Sequence, residues 1–162
     1  MPTLLITDDQ EGVLATLGFV LSQHGARVLL AKSGAIALGI FESEMVDVAL
    51  IDLCMPVMDG ITLCRKLRQC AADQGRDLPV WMMTAAHTNS AVLAAQQAGA
   101  IALLKKPFEC SELLRQMESA VSGHLATPPL LAERTTSMCV EGERSRSAVA
   151  SERAQTSNGI QE

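Results

Sequence analysis

The chain has few aromatic residues and no excess of positive charge. Its 162 residues include no tyrosine, one tryptophan and three phenylalanines, so aliphatic and methionine side chains must form any core. Thirteen basic residues against eighteen acidic ones leave a formal charge of −5. That is the wrong sign for a domain that binds nucleic acid mainly by neutralising phosphates. We therefore expect no nucleic-acid partner.

The sequence also lacks paired cysteines and long apolar runs. Its five cysteines form no Cys-x-x-Cys pair, so neither a disulfide framework nor a zinc site is indicated. The first residues lack the positive charge and the apolar run of a secretory signal. No apolar stretch approaches the roughly 18–20 residues of a membrane span. These absences predict a soluble, cytoplasmic protein that does not contact a membrane.

Five short apolar runs alternate with five segments of helical spacing. The predicted strands are Thr3–Thr7, Arg27–Ala31, Val48–Leu53, Pro79–Thr84 and Ile101–Lys105. The predicted helices are Glu11–His24, Gly34–Ser43, Gly60–Cys70, Ser90–Ala98 and Glu109–Val121. The third and fourth runs are almost continuously apolar, which is typical of parallel strands covered by helices on both faces. The pattern predicts a doubly wound α/β domain whose binding site lies at the carboxyl ends of the strands.

Helix boundary residues agree with this division. Ser33, Asp59 and Asn89 are placed to cap the second, third and fourth helices. Gly25 and Gly99 stand where helices should end. From residue 122 the composition changes, because residues 122–162 contain no aromatic residue and many Ser and Thr. We expect one domain over residues 1–121 and a mostly disordered tail over residues 122–162.

Three acidic residues follow predicted strands: Asp8 and Asp9 after the first, and Asp52 at the end of the third. Adjacent strands lie about 4.8 Å apart and parallel strands end at one edge, so these carboxylates should converge. Their mutual repulsion would raise their pKa values unless a cation is present. Mg²⁺ suits such a site, because it favours oxygen ligands and keeps positions for water and phosphate oxygens.

Two more polar residues end strands at the same edge. Thr84 closes the fourth strand with a hydroxyl, and Lys106 follows the fifth with a positive charge that suits a phosphoryl oxygen. A carboxylate nucleophile, a metal ion, a hydroxyl and a lysine are the groups that in-line phosphoryl transfer needs. A structural role also stays open for two of the acids, because Asp8 or Asp9 could cap the first helix. Lys105, which strand alternation places on the opposite side from Lys106, should be exposed.

The motifs resemble the receiver domain of two-component response regulators, in particular single-domain, chemotaxis-type regulators. The resemblance covers about residues 2–121 and rests on four motifs. These are Asp8-Asp9, the segment Asp52-Leu53-Cys54-Met55-Pro56-Val57-Met58-Asp59-Gly60, Thr84-Ala85 and Lys106-Pro107-Phe108. The resemblance implies a flavodoxin-like parallel sheet of five strands in the order 2-1-3-4-5.

The resemblance also implies a role for each site residue. Asp52 would be the phosphoacceptor, and Thr84 and Lys106 would bind the phosphoryl oxygens. The implied ligands of Mg²⁺ are Asp9, Asp52 and the backbone carbonyl of Cys54, with Asp8 holding metal-bound water. The family usually carries Tyr or Phe three residues before this lysine, where this chain has Leu103.

The implied function is that of a single-domain response regulator, and not of an enzyme beyond its own phosphorylation and dephosphorylation. It would accept a phosphoryl group from a histidine kinase or phosphotransfer protein and signal by binding a downstream protein, with a homodimer also allowed. Two alternatives stay open: a phosphorelay shuttle that passes the group onward, and a docking module that works without phosphorylation. A phosphatase of the haloacid dehalogenase type is disfavoured. That family places its two acids two residues apart at the end of the first strand, whereas Asp8 and Asp9 of this chain are adjacent.

Overall fold

The computed structural model describes residues 2–122, which form a parallel sheet with helices on both faces. The strands are β1 (Thr3–Thr7), β2 (Arg27–Ala31), β3 (Val48–Asp52), β4 (Val80–Thr84) and β5 (Ala102–Lys105). The helices are α1 (Glu11–Gln23), α2 (Gly34–Ser43), α3 (Gly60–Asp73), α4 (Asn89–Gln97) and α5 (Cys110–Val121). Every predicted element is present. The predicted tail lies outside the described residues except for Ser122.

The sheet has the order β2-β1-β3-β4-β5, and all of its neighbouring strands run parallel. This confirms the predicted flavodoxin-like fold. In the register of the sheet, Thr7 lies beside Ile51, and Asp52 lies beside Met83. The residues that follow β1, β3, β4 and β5 therefore meet at one edge of the sheet.

Side-chain alternation along the central strands divides the core into two halves. Val80 and Met82 of β4 face a cluster that includes residues of α2, α3 and α4. Trp81 and Met83 face a second cluster that includes residues of α1 and α5. These four side chains are fully buried, as expected for the core of a covered strand. Leu103, at the position where an aromatic residue is usual, is buried in the first cluster.

Hydrogen bonds at the helix starts confirm two predicted caps. The Ser33 side chain accepts from the backbone N–H of Ile36 at 3.3 Å, and Asp59 accepts from that of Thr62 at 2.7 Å. Residues Gly25 and Gly99 end helices with positive φ angles, as predicted.

One predicted helix cap is wrong, and one alternative that the sequence left open is not realised. Thr88, not Asn89, caps α4, because its hydroxyl accepts the N–H of Ala91 three residues on. At the start of α1 the cap position is Gln10, whose side chain makes no capping bond. Neither Asp8 nor Asp9 is therefore the cap of α1. The third helix is also three residues longer than predicted, because Ala71 continues the buried face of Leu63 and Leu67.

None of the helices within residues 2–122 is both long enough and apolar enough to cross a membrane.

Candidate functional site

The carboxyl edge of the sheet holds the predicted acidic cluster. One carboxylate oxygen from each of Asp8, Asp9 and Asp52 lies within 4.8 Å of the other two. Asp8 and Asp52 are buried, whereas Asp9 is exposed. Since β1 and β3 are neighbours in the sheet, the strand order itself brings the three carboxylates together. The convergence predicted from the sequence is present.

Lys106 lies between the two buried carboxylates. Its Nζ atom is 2.6 Å from Asp8 Oδ2 and 2.7 Å from Asp52 Oδ1. Its side chain keeps 19% of its surface exposed, so it borders both the cluster and solvent. The preceding Lys105 is exposed, as strand alternation predicts. Lys106 pairs with two of the three carboxylates, so among residues 2–122 the cluster keeps an excess of negative charge.

The pKa values of Asp52 and Lys106 reflect this excess of negative charge. Burial raises the pKa of Asp52, the nearby Asp8 raises it further, and Lys106 opposes both without cancelling them. Burial alone would lower the pKa of Lys106, but its hydrogen bonds and charge interactions with Asp52 and Asp8 raise it overall. Lys106 is therefore charged at neutral pH, and the ionised form of Asp52 is less favourable in the folded chain than in water.

Both oxygens of Asp52 have partners. Oδ1 pairs with Lys106, and Oδ2 accepts the backbone N–H of Cys54 at 3.1 Å. The carboxylate is thus oriented from both sides. Thr84 is buried at the end of β4, where its hydroxyl bonds the backbone oxygen and nitrogen of Ala86 at 3.2 and 3.1 Å. The hydroxyl therefore lies at the same edge as the acids and holds the loop that follows β4.

The donor set fits a hard divalent cation. The cluster supplies carboxylate oxygens from an exposed aspartate and two buried ones, and Mg²⁺ takes oxygen ligands of this kind while keeping waters. Lys106 offsets only part of their charge, so a further cation would be favoured. Cys54 lies two residues after the strand end at Asp52, and its N–H donates to the Asp52 carboxylate. Its thiol is exposed and free, so only its backbone belongs to the cluster.

The loop that joins β3 to α3, residues 53–59, is called the acceptor loop below. Within it the N–H of Met58 donates to the carbonyl of Pro56 at 2.8 Å, and Val57 between them has a φ of 69°. This is a γ-turn of the rare positive-φ type, strained for a β-branched residue by about 1–3 kcal/mol. The Val57 side chain is fully exposed, so its own packing does not offset the strain. This turn was not predictable from the sequence, because valine carries no turn signal.

Gly60 brings α3 against the strand that ends at Asp52. Its N–H donates to the carbonyl of Leu53 at 3.0 Å. A Cβ at this position would overlap the carbonyl oxygen of Asp52 and lie 2.9 Å from Leu53 Cα. Both of these are backbone atoms, which cannot rotate away, and the Met82 side chain lies as close as Leu53 Cα. The close approach therefore requires glycine.

Replacing Gly60 with alanine is expected to lower the free energy of unfolding by about 2–3 kcal/mol, because the strand end or the helix must move. Gly12 in α1 is a matched control, since a Cβ there meets nothing within 4 Å. Gly12→Ala should raise stability by about 0.5–1 kcal/mol through helix propensity. Urea unfolding followed by fluorescence of the single, buried Trp81 measures both effects. Equal effects of the two substitutions would contradict the close-approach argument.

The part of the chain that holds this site is similar in sequence to known proteins. The family model described as response regulator receiver domain matches residues 4–118. The response regulator MprA of Mycolicibacterium vanbaalenii is 38% identical over 116 residues, which is 72% of this chain and 48% of that protein. MprA of Mycobacterium tuberculosis is also 38% identical and is matched over 49% of its length. The chain thus spans about half the length of the curated relatives it matches.

Solved structures show the same architecture. A receiver domain of a Francisella response regulator superposes with a TM-score of 0.68 and 26% identity, covering 77% of this chain and 100% of that one. The chemotaxis protein CheY4 of Vibrio cholerae gives a TM-score of 0.66 and 26% identity, with coverage of 73% and 97%. Both structures therefore share the fold of this chain.

Proposed function

The chain belongs to the response regulator receiver domain family, and from this premise we propose that Asp52 accepts a phosphoryl group in a two-component phosphorelay. The observation that carries the proposal is the setting of Asp52: a buried carboxylate paired at 2.7 Å with Lys106 and grouped with two further carboxylates. The proposed receiver unit is residues 1–121. The proposed donor is a phosphohistidine of a histidine kinase or phosphotransfer protein.

In the proposed reaction a carboxylate oxygen of Asp52 attacks phosphorus. The new O–P bond forms as the N–P bond of the phosphohistidine breaks, and the imidazole leaves. The N–H of Cys54 and the Nζ of Lys106 orient the carboxylate before the reaction. Lys106 then offers its charge to a phosphoryl oxygen, and Thr84 offers its hydroxyl to another. The chain would thus catalyse only its own phosphorylation and dephosphorylation.

The family and the donor set together support Mg²⁺ as the cofactor. Asp9, Asp52 and the backbone carbonyl of Cys54 would hold the ion, and Asp8 would hold one of its waters. When bound, Mg²⁺ supplies positive charge that offsets the negative charge of the carboxylates and the phosphoryl group. The exposure of Asp9 leaves this side of the cluster accessible from solvent.

Intact-protein mass after incubation with acetyl phosphate or phosphoramidate, with and without Mg²⁺, tests the proposal. We expect a gain of one phosphoryl group that depends on Mg²⁺, because Lys106 offsets only part of the negative charge of the three carboxylates. No gain under any condition would overturn the proposal and favour a docking module that works without phosphorylation.

We also propose that output is a protein contact and that phosphorylation changes the region of α4, β5 and α5. Position 103 on β5 holds a leucine, which is buried in the core. Because it is not aromatic, the proposed change does not use an aromatic side chain at that position. Mixing the phosphorylated chain with histidine phosphotransfer domains separates this output from a shuttle. Retention of the label supports a terminal regulator, whereas rapid loss to those domains supports the shuttle.

A further inference from the structure

The acceptor loop depends on contacts at its two ends. Val57 at its tip holds a positive φ with its side chain in solvent, and such a conformation persists only where the surrounding structure enforces it. Met55, before the tip, is buried in the core, and Met58, after the tip, packs against the same core. The two methionines therefore anchor the strained turn on either side.

Met58 also packs against a second segment of the chain. A Cβ added to Gly34 would lie 2.6 Å from Met58 Sδ and 3.1 Å from its Cβ and Cγ. Gly34 is the first residue of α2, directly after the cap Ser33, whose side chain bonds the N–H of Ile36. The start of α2 is thus a fixed surface against which the Met58 side chain lies, and a Cβ at position 34 would displace that side chain.

We propose that Met58, packed against Gly34, is a positioning residue for phosphoryl transfer. It keeps the strained acceptor loop in the arrangement in which the N–H of Cys54 holds Asp52 and the carbonyl of Cys54 can bind Mg²⁺. Without this anchor the strain at Val57 is released by movement of the loop, and Cys54 moves with it. The inference rests on the proposed function, because it concerns the same metal and acceptor.

The test measures Mg²⁺ affinity by isothermal titration calorimetry on the whole chain. Met58→Ala is expected to weaken binding about tenfold, the scale of losing a group that orients a metal ligand. Met58→Leu keeps the anchoring volume and should bind like the natural chain. Met45→Ala is the matched control, since this methionine is 64% exposed and lies outside the loop; its affinity should be unchanged.

A rescue experiment separates positioning from a merely structural role. Val57→Gly removes the side chain that disfavours a positive φ, so a loop with glycine there no longer needs the Met58 anchor. The double variant Val57→Gly/Met58→Ala should therefore recover most of the Mg²⁺ affinity lost in Met58→Ala. Gly34→Ala, which displaces the same side chain from the other segment, should weaken Mg²⁺ binding as Met58→Ala does.

The outcomes of the two proposals are distinguishable. If the natural chain binds Mg²⁺ and gains a phosphoryl group while Met58→Ala binds Mg²⁺ equally well, the positioning role is overturned and the proposed function stands. Weakened binding without rescue by Val57→Gly also overturns it, since the loss then does not come from the strained turn. If the natural chain binds no Mg²⁺ and gains no phosphoryl group, the proposed function itself fails.

Discussion

Asp52→Asn is expected to abolish the Mg²⁺-dependent gain of a phosphoryl group and, at the same time, to stabilise the fold. Asparagine has nearly the same shape and can still accept the N–H of Cys54, but it lacks the nucleophilic oxygen. It also removes a charge whose ionised form the folded chain disfavours. The free energy of unfolding should rise on the order of 1 kcal/mol, since the cost of burying the charge and the smaller repulsion from Asp8 are both lost.

The stabilising effect of Asp52→Asn should depend on pH in a defined direction. A carboxyl with a raised pKa destabilises the fold only when ionised, so the natural chain loses stability relative to the variant as pH rises. The difference is expected at pH 7 and should vanish as pH falls below the ordinary value of 3.8. Urea unfolding at several pH values measures it. A difference that grows on acidification would contradict the assignment.

Asp59→Asn is the control for this experiment. Asp59 is an exposed acid seven positions from Asp52 in the sequence, and its side chain caps α3. Asparagine caps helices about as well as aspartate, so stability and phosphoryl gain should stay near those of the natural chain. A phosphoryl gain that persists in Asp52→Asn and disappears in Asp59→Asn would place the acceptor elsewhere.

Lys106→Met is expected to lower the free energy of unfolding by about 3 kcal/mol in metal-free buffer, because breaking a buried ion pair leaves charges without compensation. Two carboxylates lose their cation at once: Asp8, which is fully buried, and Asp52, which is 4% exposed. Adding Mg²⁺ should restore part of the lost stability, since the cation offsets the same charge. Urea unfolding with and without Mg²⁺, followed by Trp81 fluorescence, checks both results.

The neighbouring lysine provides the comparison. Lys105→Met changes the same side chain one position earlier, where it is exposed, and surface substitutions of this kind usually shift stability by less than about 0.5 kcal/mol. Phosphoryl gain should also be slower in Lys106→Met and unchanged in Lys105→Met. Similar instability of the two variants, or no effect of Mg²⁺ on Lys106→Met, would show that Lys106 does not balance the cluster.

The fold could be predicted because it follows from patterns among residues that are close in the sequence. The apolar run that ends at Asp52 had to be a covered strand, and the parallel order then placed Asp8 and Asp9 beside it. The start of α4 was misplaced by one residue because Thr88 and Asn89 are adjacent and both can cap. Choosing between neighbouring capping residues depends on backbone angles that composition does not determine.

The parts of the site that escaped prediction depend on contacts between distant segments. The ion pair of Lys106 with Asp8 joins residues 98 positions apart, and the sequence predicted only that both would lie at one edge. The contact of Met58 with Gly34 follows from the relative placement of two loops. The positive φ of Val57 runs against the preference of its own side chain. Such features follow from tertiary packing, which overrides local propensity.

The separation between Lys106 and its partners has a consequence for synthesis of the chain. Asp8 and Asp52 leave the ribosome well before the residue that balances their charge, because Lys106 follows the last strand of the sheet. A nascent chain that has not yet exposed β5 holds both carboxylates without their lysine. Under the proposed function, rapid phosphoryl transfer therefore requires the final strand, and a prematurely released fragment without Lys106 would accept the phosphoryl group more slowly than the whole domain.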